Sequence, residues 1–234
     1  KKASEEKTSE IALTALRFVV ALNDWDIGHY WHFGNAVWKQ WKKGDCVHWH
    51  RTMAHGTANT GHSDRLSLQI TGIPSEKTFK LCLIKDFVEI SKYFGQRFDL
   101  TQAAGGNSSI KIGGEMYIKS SGYSLSEVSL DNGYTILDNE KLKNFLIRVK
   151  NKKIDSNIEK KSISILKNSV LLGASPSIES YSHTLLKKFT IHIHPIASNI
   201  VSVNKKSKEI FWQIFKKKKK NEGLFYIEYK PPGI

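Results

Sequence analysis

Two different spacings of apolar residues divide the chain. From residue 11 to 72 the apolar positions fall in short runs: Leu16 to Leu22, the aromatic-rich His29 to Trp41, Cys46-Val47-His48-Trp49-His50, and Arg65 to Thr71. Asn23-Asp24-Trp25 and Lys43-Gly44-Asp45 supply turns between them. Alternation at this regular short spacing, without a helical stripe, predicts a β-sandwich or barrel. The density of aromatic rings is what a small β-core needs to bury enough area. Thr71-Gly72-Ile73-Pro74 breaks the pattern, so a boundary is expected between residues 1–73 and 74–234.

Beyond that point the period changes. Ser75 can cap a helix whose stripe is Leu83, Ile84, Phe87, Val88 and Phe94, with Gly95 as its stop. Gly113-Gly114 predicts a hairpin leading into a strand from Met116 to Lys119, and Asp131-Asn132-Gly133 is a second hairpin signal. Asp138 is placed to cap a helix carrying Leu142, Phe145, Leu146 and Val149, and Lys150 to Ser162 reads as a polar surface connection. Phe189 to His194 alternates as a strand. Ile210, Phe211, Ile214 and Phe215 mark an amphipathic helix with Lys216 to Lys220 as its solvated end, and Leu224 to Tyr229 a last strand. Strands alternating with helices predict an α/β layered domain.

Composition narrows the picture only at two points. No apolar run reaches the length of a membrane span, the first residues lack a signal peptide's apolar stretch, and Cys46 and Cys82 form no spacing pattern. A cytoplasmic protein is therefore expected. The net charge of +14 raises nucleic acid as a partner, but lysine supplies nearly all of it. Arginine, the residue suited to bidentate phosphate contacts, occurs five times, so nucleic-acid binding is not the expected function.

The chemistry concentrates between Ala174 and Pro195. As a strand, Phe189-Thr190-Ile191-His192-Ile193-His194 turns both imidazoles to one face. Two such imidazoles can converge on one divalent ion, with Glu179 nearby as ligand or base; the alternative is a half-buried strand with a histidine-rich polar face. Glycines beside Asn107 and Ser121 allow a backbone to approach an anion, or simply make tight turns.

Taken in order, G-G-N-S-S-I-K, I-K-S-S-G, P-S-I-E-x-x-x-H and H-I-H-P resemble the class II aldolase/adducin family from about residue 76 onward. The resemblance implies a three-layer α/β/α fold, a divalent metal (usually Zn2+), and cleavage or formation of a carbon–carbon bond in a sugar phosphate through an enediolate. By position, His192 and His194 would be metal ligands and Glu179 the acid/base group. Asn107, Ser121, Gly122 and Ser177 would hold the substrate phosphate. His183 follows Glu179 at the family's spacing, and family members are commonly tetramers. The family's third metal histidine lies beyond a P-P-G segment like Pro231 to Gly233, and Ile178 stands where a serine is often found.

The first segment resembles a different family. D-W-x-x-G at Asp24 to Gly28, W-K-K-G-D at Trp41 to Asp45, and H-G-T-A-N-T-G-H-S-D-R from His55 to Arg65 are similar to the C-terminal part of an Fe(II)/2-oxoglutarate-dependent dioxygenase. That likeness implies a partial jelly-roll, or double-stranded β-helix. His55 would be an Fe2+ ligand and Arg65 the clamp on the 2-oxoglutarate carboxylate. The family's upstream H-x-D or H-x-E pair has no counterpart before His55. With one family cut at its front and the other at its back, a fragment of a longer fused polypeptide is expected. Three functions follow as expectations: a zinc-dependent aldolase-type lyase, a dioxygenase activity of a longer parent, or a non-catalytic adducin-like module.

Overall fold

The computed structural model describes residues 15–50, 52–215 and 223–228. The chain forms two compact units, Lys1–Cys82 and Leu83–Ile234.

The first unit is built from β1 (Leu16–Ala21), β2 (His29–Phe33), β3 (Ala36–Trp38), β4 (Cys46–His50), β5 (His55–Asn59) and β6 (Ser67–Gly72). They pair antiparallel in two three-stranded sheets, ordered β4-β1-β6 and β3-β2-β5. Alternate residues of both sheets turn to one shared core: Val19 and Ala21 from β1, Trp31 and Phe33 from β2, Trp49 from β4, and Trp41 from the loop before β4. The rings of Phe33 and Trp49 lie 4.6 Å apart, and the rings of Trp38 and Trp41 4.8 Å apart. Short alternating runs and clustered tryptophans thus produce the all-β unit they predict. Two sheets around one core are a coarser result than the jelly-roll that the resemblance implies.

The second unit is organised by one antiparallel sheet of β7 (Asn107–Ile112), β8 (Glu115–Lys119), β9 (Tyr134–Asp138), β10 (Val170–Leu172) and β11 (Phe189–His192). Its strand order is β10-β9-β8-β7-β11. The helices are α1 (Glu76–Gly95), α2 (Asn139–Val149), α3 (Ser156–Asn168), α4 (Ser180–Leu185), α5 (Ile196–Ser202) and α6 (Ser207–Ile214). On one face Met116, Ile118 and Leu137 pack with Leu142 and Phe145 of α2, Leu166 of α3 and Tyr181 of α4. On the other, Ile110 and Tyr117 pack with Val128 and with Leu83, Phe87 and Val88 of α1. The run Met116-Tyr117-Ile118 is apolar throughout because successive side chains enter different cores. Helices on both faces make the layered α/β arrangement that the sequence predicts.

Ile118 is fully buried, so Ile118→Val should cost about 1 kcal/mol through one lost methylene. A denaturant midpoint unchanged by the substitution would mean that this face is loosely packed.

Local signals explain the element ends. Ser75 Oγ accepts the Thr78 N–H at 3.2 Å, and Asp138 Oδ1 accepts the Lys141 N–H at 2.9 Å, so both expected caps form. Gly113-Gly114, both at positive φ, turns β7 into β8. Gly95 ends α1 for a different reason than a stop signal. A Cβ there would lie 2.2 Å from the Ser126 nitrogen, so the position is required by close approach.

Three expectations are corrected. The connection from Lys150 to Ser162 contains the start of α3, capped by Asp155 Oδ1, which accepts the Ile158 N–H at 2.8 Å. Its inward row includes Ser162, buried although polar, which hides the stripe in the sequence. Asp131-Asn132-Gly133 forms the turn just before β9, at the end of a longer loop from β8 that includes the 3-10 turn Leu125–Glu127. Residues 224–228 form no strand, and Tyr229 lies outside the described residues, as do Lys216 to Lys220. Among the described residues no helix is long and apolar enough to cross a membrane.

Candidate functional site

Strand register assembles the site. β11 runs antiparallel to β7 with His192 opposite Asn107 and Thr190 opposite Ser109. Opposed residues share a face, so these four side chains line one side of the sheet. Ser109 is also opposite Ile118 of β8, which places them on the side covered by α2 to α4. Glu179 stands at the N-cap of α4, and His183 lies one turn further along that helix.

The two imidazoles do come together, though not as residues of one strand. β11 ends at His192, because the next backbone segment leaves β7 for another partner. The His194 N–H donates to the Leu100 carbonyl at 2.9 Å and the Ile196 N–H to the Asp99 carbonyl at 3.0 Å. The His192 and His194 rings are nevertheless 4.7 Å apart, with their Nε2 atoms separated by 3.2 Å. The glycine-rich loop makes room for them. A Cβ on Gly105 would lie 3.2 Å from His194 Nδ1, and one on Gly106 would lie 2.8 Å from the His192 carbonyl oxygen.

His192 Nδ1 lies 2.9 Å from Glu179 Oε1. Asn107 is buried; its Oδ1 accepts the Ser108 N–H at 2.9 Å, and its side chain lies on the Glu179 side of the sheet, where it helps keep that carboxyl ionised. Burial pushes the Glu179 carboxyl up, but the hydrogen bond and charge of His192, with help from Asn107 and His183, outweigh it and hold the group below its ordinary pKa. The same hydrogen bond raises His192 against the effect of burial. His183 is buried, with Nδ1 2.7 Å from the buried Ser109 hydroxyl, and burial pushes its imidazole down to about 4. At neutral pH His183 is therefore uncharged.

The expected phosphate-binding residues divide. The Ser121 N–H donates to the Ser175 carbonyl at 3.0 Å, and Ser120 bridges to Pro176, so the S-S-G turn lies beside the segment leading to Ser177. Gly122 adopts φ +87 with open space before it. The Ser177 hydroxyl accepts the Glu179 N–H at 3.2 Å. Asn107, in contrast, faces Glu179. Gly122 also lines a cavity of about 480 Å3 together with Ala103, Ala104, Ser124 and Glu127.

The histidine pair fits a zinc-like ion. Two nitrogens held about 2.0–2.1 Å from one tetrahedral ion lie roughly 3.3 Å apart, close to the separation of the two Nε2 atoms. Metal-bound imidazoles commonly give their other nitrogen to a carboxylate, as His192 does to Glu179. Among the described residues no three His, Cys, Asp or Glu side chains gather as a complete ligand set.

In the first unit, His55 Nε2 lies 3.0 Å from Arg17 Nη1 and His55 Nδ1 lies 2.9 Å from the Met53 carbonyl oxygen, so both ring nitrogens have protein partners. Arg65 donates to the Tyr30 carbonyl at 3.3 Å and stacks its guanidinium 5.1 Å over Trp31. Among the described residues no hydrogen bond joins His55 to Arg65. Two residues lie inside the quoted motifs, but nothing in the sequence marks what they do: Ser109, the partner of His183, and the buried Lys119.

No family model matches the chain, and no curated relative does. Among solved structures three chains match. One is described as the N-terminal class II aldolase domain of a conserved protein from Thermoplasma acidophilum. It is 24% identical, with a TM-score of 0.52, and the match covers 64% of this chain and 70% of that one. At that identity the likeness establishes fold: the chain contains a class II aldolase-type α/β fold.

Proposed function

We propose that the α/β unit is a metal-dependent aldolase-type lyase acting on a sugar phosphate or related carbohydrate, with zinc as the ion. The observation that carries this reading is the Glu179–His192–His194 constellation, two imidazole nitrogens 3.2 Å apart with a carboxylate 2.9 Å behind one of them. His192 and His194 would hold the ion, which when bound supplies a Lewis acid for the charge that develops on substrate oxygens.

The chain's own groups do the rest. Glu179 is ionised at neutral pH and can accept a proton at its carboxylate, while His192 fixes its orientation. Ser121, Gly122 and Ser177 offer hydroxyl and amide groups to a phosphate, and binding that remote group holds the reacting carbons in place. Asn107 belongs to Glu179 in this reading. A cytoplasmic homo-oligomer, a tetramer by family resemblance, completes it.

Metal analysis tests the assignment. Stoichiometric zinc that is lost in the His192→Ala, His194→Ala double variant is the expected result. Zinc retained by that variant overturns it. Iron that departs with His55→Ala would favour the 2-oxoglutarate dioxygenase reading of the first unit, and no stoichiometric metal would favour an adducin-like module.

A further inference from the structure

Lys119, the last residue of β8, is only 3% exposed. Its ammonium donates to three backbone carbonyls: Tyr123 at 2.6 Å, Ala104 at 3.3 Å and Ser120 at 3.4 Å. Those bonds use all three of its protons. A buried cation is costly without compensation, and here carbonyl dipoles are its contact partners. Burial lowers its pKa, while the charges of Glu179 and Glu127 act in the opposite direction.

The three carbonyls belong to two loops. Ala104 lies in the glycine-rich loop before β7, whereas Ser120 and Tyr123 bracket the S-S-G turn after β8. Ala104 and Gly122 line the same cavity of about 480 Å3, a size suited to a small ligand. Among the described residues the Ser121 hydroxyl and the Gly122 N–H have no protein partner, so the turn presents unused donors. Unused donors beside a fixed positive charge suit an anion.

We propose that Lys119 is a positioning residue for the anionic end of the substrate, tying the glycine-rich loop to the S-S-G turn and setting a fixed positive charge beside both. The assignment rests on the reading of the S-S-G turn as the phosphate site. Lys119 does not touch the substrate. It fixes the spacing of the two loops that do, and its charge offsets the desolvation of the incoming anion.

Inorganic phosphate is the probe. Its affinity for the full chain should fall by about tenfold or more in Lys119→Met, the order expected when a nearby unit charge that attracts the anion is removed. Lys119→Arg, which keeps the charge and the donors, should recover most of that loss, and zinc content should match the unsubstituted protein in both variants. A merely structural lysine would not give this pattern of phosphate loss, arginine rescue and constant zinc. Equal phosphate affinity in Lys119→Met overturns the proposal.

Should either variant fail to fold, amide hydrogen exchange on the unsubstituted protein decides. Phosphate should slow exchange in residues 104–106 and 120–124 together; slowing in one segment alone, or in neither, overturns the proposal. Absent aldol cleavage with Lys119-dependent phosphate binding would remove the lyase reading and leave this one standing.

Discussion

In the proposed lyase, Glu179→Ala is expected to reduce aldol cleavage about a thousandfold, within the range that a positioned acid/base group contributes. The geometry adds a second effect. Glu179 Oε1 holds His192 Nδ1 at 2.9 Å, so removing the carboxylate frees the imidazole to turn and to change tautomer. Loss of such an orienting partner typically weakens metal binding by about 10–100-fold. Glu179→Gln separates the two effects, because an amide oxygen can still accept the His192 Nδ1–H but cannot take a proton from substrate. The expected result is near-normal zinc affinity in Glu179→Gln with turnover as low as in Glu179→Ala. Turnover that survives in Glu179→Gln would make Glu179 an orienting group for His192 and no more.

His183 gives the second large effect, on stability. Its imidazole is pushed from 6.5 to about 4 by burial, with the Glu179 carboxylate opposing and His192 and Lys111 adding to the fall. Between those two values the unfolded chain binds a proton that the folded chain does not, so stability rises with pH across the window. The contribution is fully present above about pH 6.5 and is lost progressively as pH falls toward 4. At about 1.4 kcal/mol per pH unit, the loss from pH 7 to pH 4.5 is about 2 kcal/mol. His183→Gln keeps an acceptor for the Ser109 hydroxyl and removes the titration. Denaturant unfolding at the two pH values should show a difference smaller by about that amount in the variant. An unchanged difference would assign the acid sensitivity to other groups.

The legible parts of this chain are those set by neighbours in sequence. Strands β1, β4 and β6, the caps at Ser75 and Asp138 and the hairpin at Gly113-Gly114 all follow from local pattern and form as expected. Where a distant partner decides, the pattern misleads. Ser162 interrupts the apolar row of α3 yet is buried, because Tyr181 of α4 covers it and donates its hydroxyl to the Ser162 carbonyl at 2.8 Å. β11 stops short of His194 because Leu100, far away in sequence, takes that backbone N–H.

The site divides in the same way. Glu179, His192 and His194 are readable as a set because their residue types already suggest metal and proton chemistry. Asn107 is a plausible phosphate donor in the sequence, and only its register opposite His192 turns it toward Glu179. Lys119 reads as the polar end of a strand; its burial depends on two loops closing over it.

β11 is the outermost strand of its sheet, and its entry is pinned by Lys111. The Lys111 ammonium donates to the carbonyls of Leu186 and Lys187 at 3.0 and 2.8 Å. That anchoring gives the connector ahead of the strand a parity. Gaining one residue between Leu186 and Phe189 would bring Ile191 into the place of His192, and losing one would bring Ile193 there; either sends the imidazole through to the α1 side, whereas a change of two would restore the facing. Natural variation in this connector should therefore come in even steps.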